Sequence, residues 1–85
     1  MPRFFLHFDD GTRRIEDKEG SDLPDLSAAR EEAFSAARQL WAAAILKQQD
    51  IGPRRFLIVT DDGNVSDVVE IDDALPRGLL NRLKR

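Results

Sequence analysis

Apolar and polar positions alternate along Arg3-Phe4-Phe5-Leu6-His7-Phe8, which predicts a strand with Phe4, Leu6 and Phe8 on one face. Asp9-Asp10-Gly11 supplies a tight turn, and Thr12 to Glu16 can pair back as a short strand carrying Ile15. Its Arg13, Arg14 and Glu16 suit a sheet edge, where charge discourages stray pairing. A second turn, Lys18-Glu19-Gly20-Ser21, leads to Leu23-Pro24-Asp25. From Leu26 to Gln49 the chain has no Gly or Pro and is rich in Ala, so it predicts one long helix. Asp25 or Ser27 can cap it, and Asp50-Ile51-Gly52-Pro53 holds the residues that end helices. Residues 54–60 predict a strand, Asp61-Asp62-Gly63-Asn64 a turn, and Val65 to Ile71 a returning strand. Leu79 to Lys84 can form a turn or two of helix.

The segment Phe5 to Gly11 echoes Phe56 to Gly63 with one inserted residue, which supports two hairpins of similar build flanking one helix. The expected fold is therefore α+β: a two-layer sandwich in ββαββ order. A four-stranded antiparallel sheet carries the helix on one face. The domain takes up residues 1–76, and residues 77–85 form a basic tail.

This layout has more apolar surface than one sandwich can hide. Leu26, Ala29, Ala33, Ala37, Leu40 and Ala44 fall on one helical stripe. Phe34, Trp41 and Ile45 form a second stripe further round, and Glu31, Glu32, Ser35, Arg38 and Gln39 lie opposite. If Phe4, Leu6, Phe8, Phe56, Ile58, Val69 and Ile71 face the helix, then Phe5, His7, Leu57, Val59 and Val68 face away. An antiparallel sheet with one wet face should be polar there. Either Leu79, Leu80 and Leu83 fold back over one surface, or a second copy of the chain covers it. The expected interface residues are Phe5, His7, Phe34, Trp41, Ile45, Leu57 and Val59.

Charge adds an asymmetry to this picture. Residues 1–76 hold nine basic against sixteen acidic side chains, a balance of −7, whereas residues 77–85 hold four basic and none acidic. An acidic body argues against nucleic acid as a partner, although Arg77, Arg82, Lys84 and Arg85 could touch nucleic acid or an acidic protein. There is no Cys, which removes disulfides, thiolate metal sites and thiol nucleophiles. No apolar run reaches the length of a signal sequence or a membrane span, so the expectation is a cytoplasmic protein that does not insert in a membrane.

Catalytic chemistry finds little support. His7 is the only histidine, and with no Cys a transition-metal site is disfavoured. The acid pairs Asp9/Asp10, Asp61/Asp62 and Asp72/Asp73 lack the spacing of a calcium loop, and Asp-Gly between strands is hairpin chemistry. No nucleophile motif or phosphate-cradling glycine loop occurs. Phe4, Phe5, Phe8 and Phe56 could stack on bases only if exposed, and core packing explains most of them. The expectation is no enzyme, no cofactor and no bound metal.

The opening Met1 to Phe8, the Asp10-Gly11 turn, Glu19-Gly20, Leu23-Pro24-Asp25-Leu26 with Ala29-Arg30 and Glu32-Ala33, and Val59 to Gly63 carry a resemblance. They resemble a family of short alphaproteobacterial proteins known only as a domain of unknown function. The match runs to about residue 75 and leaves the Leu79 to Arg85 tail outside. The resemblance implies a small bacterial cytoplasmic protein and supplies no activity or site. A looser likeness is to HicB-type antitoxins, which also place a hairpin and a Pro-Asp-Leu junction before an Ala/Glu-rich helix. The segment common after that junction and the appended DNA-binding domain are both missing here, so the likeness is one of fold. The sequence thus favours a non-enzymatic interaction or regulatory module acting as a homodimer. The alternative is a nucleic-acid-associated or antitoxin-like regulator, and a small enzyme or ligand binder centred on His7 ranks last.

Overall fold

A computed structural model describes residues 2–49 and 54–76. The chain opens with β1 (Arg3–Asp9), whose edge receives two short strands, β2 (Arg14–Ile15) and β3 (Ser21–Asp22). The helix α1 (Leu26–Lys47) follows, and then the antiparallel hairpin of β4 (Arg55–Thr60) and β5 (Val65–Glu70). A single 3-10 turn, Ile71–Ala74, closes the described chain. The sheet runs β2-β1-β4-β5, with β3 also on β1, and every pairing is antiparallel. The fold is α+β, as expected. The order, however, gains a third short strand before the helix.

The shortness of β2 has a local cause. Asp10 Oδ1 accepts the N–H groups of Thr12 and Arg13, each at 2.9 Å, and the Thr12 hydroxyl at 2.8 Å. Residues 11–13 are thereby folded into a carboxylate-centred turn, leaving only Arg14 and Ile15 to pair with β1 instead of the whole of Thr12 to Glu16. The chain leaves the edge at Glu16 and rejoins it at Ser21. At the far end, Ile71 starts the 3-10 turn instead of finishing β5, yet its side chain is fully buried.

Asp25 caps α1 by accepting the Ala28 N–H at 2.9 Å. The helix stops two residues before Gln49. Gln48 takes a left-handed conformation (φ 55), the Gln48 N–H reaches the Ile45 carbonyl, and the Gln49 N–H reaches the Ala44 carbonyl. The expected stop at residues 50–53 lies outside the described residues.

The face assignments follow the two periods of the sequence. Ala29, Ala33, Ala37 and Ala44 are the buried positions of the helix, and their small side chains let it lie close on the sheet. Ala29, Ala33 and Ala37 pack on Phe4, Phe56, Ile58, Val69 and Ile71, with Leu6, Phe8, Leu26 and Leu40 at the margins. The register Phe4↔Thr60, Leu6↔Ile58 and Phe8↔Phe56 keeps those side chains on one side.

The helix is tied toward the β5 side of the sheet. Trp41 Nε1 donates to the Ile71 carbonyl at 3.0 Å. Arg30 pairs with Asp67 of β5 and lies 5.5 Å from the centre of the Phe34 ring.

Candidate functional site

The outer face of the sheet was the first expected interaction surface. Alternation places Phe5, His7 and Asp9 of β1 there, beside Val59, Leu57 and Arg55 of β4, and Val68 and Glu70 of β5. Val65, opposite Val59 beyond an irregularity at Ile58/Val59, extends the row. The centre of this face is apolar and both ends are charged. One end holds the Arg3–Asp22 ion pair (3.1 Å), which lowers the Asp22 carboxyl below its ordinary range through the Arg3 hydrogen bond. Arg55 and Glu70 lie 3.7 Å apart at the other. Leu57 and Val59 are nearly buried (8% and 7% exposed), Phe5 and His7 are half-buried, and Val65 and Val68 stay exposed. The face is therefore less open than its sequence implies.

Phe5 and His7 are covered in part by the 16–20 loop, which Asp17 anchors. Asp17 Oδ2 accepts the Leu6 N–H at 3.2 Å and its Oδ1 accepts the Gly20 N–H at 3.1 Å. Its own N–H donates to His7 Nδ1 at 3.0 Å. The carboxylate thus stands in for the ladder between the two short strands, satisfying a backbone donor that β2 and β3 leave unpaired. Gly20 (φ 70) lies flat on Phe5: a Cβ there would sit 2.8 Å from Phe5 Cε2. Phe5 in turn stacks against His7, ring centres 6.3 Å apart.

Several other aspartates sit in turns. Asp9 accepts the Gly11 N–H at 2.9 Å. Hydrogen bonds from the Arg13 N–H, and then from the Thr12 N–H and hydroxyl, hold the Asp10 carboxyl down at about 2. The Thr60 hydroxyl, with the Asn64 N–H, lowers Asp62 in the β4–β5 turn. Asp67 is lowered by the Val68 N–H and then by Arg30. Asp72 and Asp73 sit in the 3-10 turn. Among the described residues no three His, Cys, Asp or Glu side chains cluster as metal ligands.

The second expected surface was the Phe34, Trp41 and Ile45 stripe, and the structure divides it. Phe34 and Trp41 are half-buried against the core, whereas Ile45 is 61% exposed. Beside it Leu46 is 86% exposed, and Ala42 and Ala43 are exposed as well. The outer side of the last two helical turns is therefore largely apolar, in contrast to the Glu31, Glu32 and Arg38 side of the first turns. Sequence reasoning missed Leu46. Its signal was the run Trp41 to Leu46, nearly two turns without one polar residue. Also missed was a groove of about 440 Å³ on the other flank of the helix, lined by Phe8, Ile15, Ala36, Gln39, Leu40 and Phe56.

Arg77, Arg82, Lys84 and Arg85, with Leu79, Leu80 and Leu83 and the expected terminal helix, lie outside the described residues. No described helix is long and apolar enough to cross a membrane. No curated protein and no solved structure gives a significant match to the chain. One family model, described as a domain of unknown function (DUF6894), matches residues 3–72. A match over so much of the chain means that it belongs to the DUF6894 family, whose function is unknown.

Proposed function

We propose that this chain is a non-enzymatic interaction module of the bacterial cytoplasm that works as a homodimer, joined through the carboxy-terminal half of α1. The observation that carries this reading is the exposure of Ile45 and Leu46 beside Ala42 and Ala43. Two alanines allow a second helix to approach to roughly 8–10 Å between axes, and the two large aliphatics fill the contact. Removing each from water is worth about 1.5–3 kcal/mol. A role without catalysis is supported by how the reactive groups are used. His7 Nδ1 and both Asp17 oxygens are engaged with backbone N–H groups. Arg30 and Asp67 neutralise each other at the margin of the core.

Sedimentation velocity tests the proposal. The parent chain should sediment as a dimer, and Ile45→Glu and Leu46→Glu should each give a 9.6 kDa monomer with an unchanged circular dichroism spectrum. Val68→Glu, on the outer sheet face, should leave the dimer intact. A parent that stays monomeric at high concentration refutes the proposal, as does a dimer that survives both helix substitutions.

A further inference from the structure

The proton on His7 is fixed by its surroundings. The Asp17 N–H points at Nδ1 from 3.0 Å, so Nδ1 carries a lone pair and the ring proton sits on Nε2. That contact exists only for a neutral imidazole. A proton on Nδ1 would set two donors against each other, and turning the ring would replace the acceptor with a carbon. The same loop is held by the Asp17 carboxylate on Leu6 and Gly20, and by Arg3 Nη1 on the Glu19 carbonyl at 3.0 Å. These are its described anchors, and beneath it Gly20 covers one edge of the Phe5 ring.

We propose that His7 is an acid-sensitive latch: neutral, it holds the 16–20 loop over Phe5, and protonated, it releases the loop and uncovers the Phe5 ring on the outer sheet face. The groups around it allow this. On that face Phe5 is stacked on it, Asp9 follows it along β1, Leu57 lies across on β4 and Val68 beyond on β5, so the one charged neighbour along its own strand is Asp9. The other charges nearby belong to the loop itself (Glu16, Asp17, Lys18 and Glu19), to Arg14 of β2 opposite Asp9, or to the pairs at the two ends of the face. Those pairs are Arg3–Asp22 and Arg55–Glu70, the latter next to Asp9. Asp17 is the acid in contact through its backbone, but its carboxylate is turned to two backbone donors. Acid therefore removes the imidazole anchor by converting an acceptor into a donor, independently of the helix surface proposed for dimerisation.

Amide hydrogen exchange read by NMR tests the latch on the whole chain. After correction for intrinsic rates, protection of Asp17 and Gly20 should fall about tenfold between roughly pH 7.5 and pH 5.5, while protection of Ile58 in the core holds. His7→Asn keeps an acceptor where Nδ1 was and cannot titrate, so its loop should stay protected at both pH values. Nitrogen shifts of the parent imidazole should show Nδ1 unprotonated at neutral pH, a reading that needs no variant to fold. The proposal is overturned by a proton on Nδ1 at neutral pH. Loop protection indifferent to acid in the parent, or an equal loss in His7→Asn, also overturns it.

Discussion

Removing the Asp17 side chain tests whether one carboxylate replaces a strand ladder. In Asp17→Ala the Leu6 and Gly20 N–H groups lose their acceptors at 3.2 and 3.1 Å. Bonds to a charged acceptor contribute about 1.5–3 kcal/mol each, and half-exposure brings that nearer 1 kcal/mol apiece. Leu6 is itself half-buried in a central strand, so its orphaned N–H adds a desolvation cost of about 1 kcal/mol. The expected loss is about 2–3 kcal/mol, a drop in Tm on the order of 10–20 °C for a domain of this size. Asp17→Asn keeps one carbonyl oxygen but turns an amide donor toward the second N–H, so it should lose about 1–1.5 kcal/mol. Urea unfolding at neutral pH measures both, with an unchanged slope showing that the denatured state is not the cause. If both variants unfold within about 0.5 kcal/mol of the parent, water satisfies these groups as well as Asp17 does, and the bridging role is wrong.

Gly20→Ala should cost about 2 kcal/mol in the same assay, because a side chain at φ 70 is strained and its Cβ would press on Phe5 at 2.8 Å; the smaller Phe5→Leu, added to it, should recover part of the loss. Acid should destabilise the fold through its depressed carboxyls. Asp10 falls from 3.8 to about 2 on folding, so its contribution is complete above about pH 4 and disappears as pH drops through about 2. Thermal melts across that window should show a smaller decline in Asp10→Asn than in the parent; an identical decline would remove Asp10 from the explanation.

The faces of the elements were legible because each repeats a simple period. Phe4, Leu6, Phe8, Phe56, Ile58 and Val69 alternate at period two, and Ala29, Ala33 and Ala37 recur every four residues, so burial could be read before any contact was known. The 16–20 loop was opaque for the opposite reason. A side chain bonding to backbone leaves no period, and Asp17 sits inside Glu16-Asp17-Lys18-Glu19-Gly20, a string that reads only as a solvated turn. The burial of Leu57 and Val59 was hidden as well: their polarity says which face they take, and nothing in a local pattern says what lies above it. Leu46 was concealed by the opposite excess, since a window apolar in every direction has no face to point to.

Geometry explains why apolar surface remains. Four strands span roughly 19 Å, and one helix with its side chains about 10 Å. A single helix cannot shield the whole inner face, and here it is drawn to one side by Trp41 on Ile71 and Arg30 on Asp67. The opposite flank opens as the groove between Leu40 and the pair Phe8 and Phe56, with Ile15 exposed at its lip. Larger residues at Ala33 and Ala37 would widen the helix but lift it from Ile58 and Val69, losing contacts where the core is densest. The alanine stripe therefore fixes a close, narrow contact at the centre of the sheet. Beyond Trp41 the buried stripe narrows to Ala44, the last buried helical residue, so Ile45 and Leu46 have no core position to take. Ile45 and Leu46 add nothing to the buried core of this protomer, so that turn of helix is where substitution should alter association while leaving the stability of the isolated protomer within about 0.5 kcal/mol.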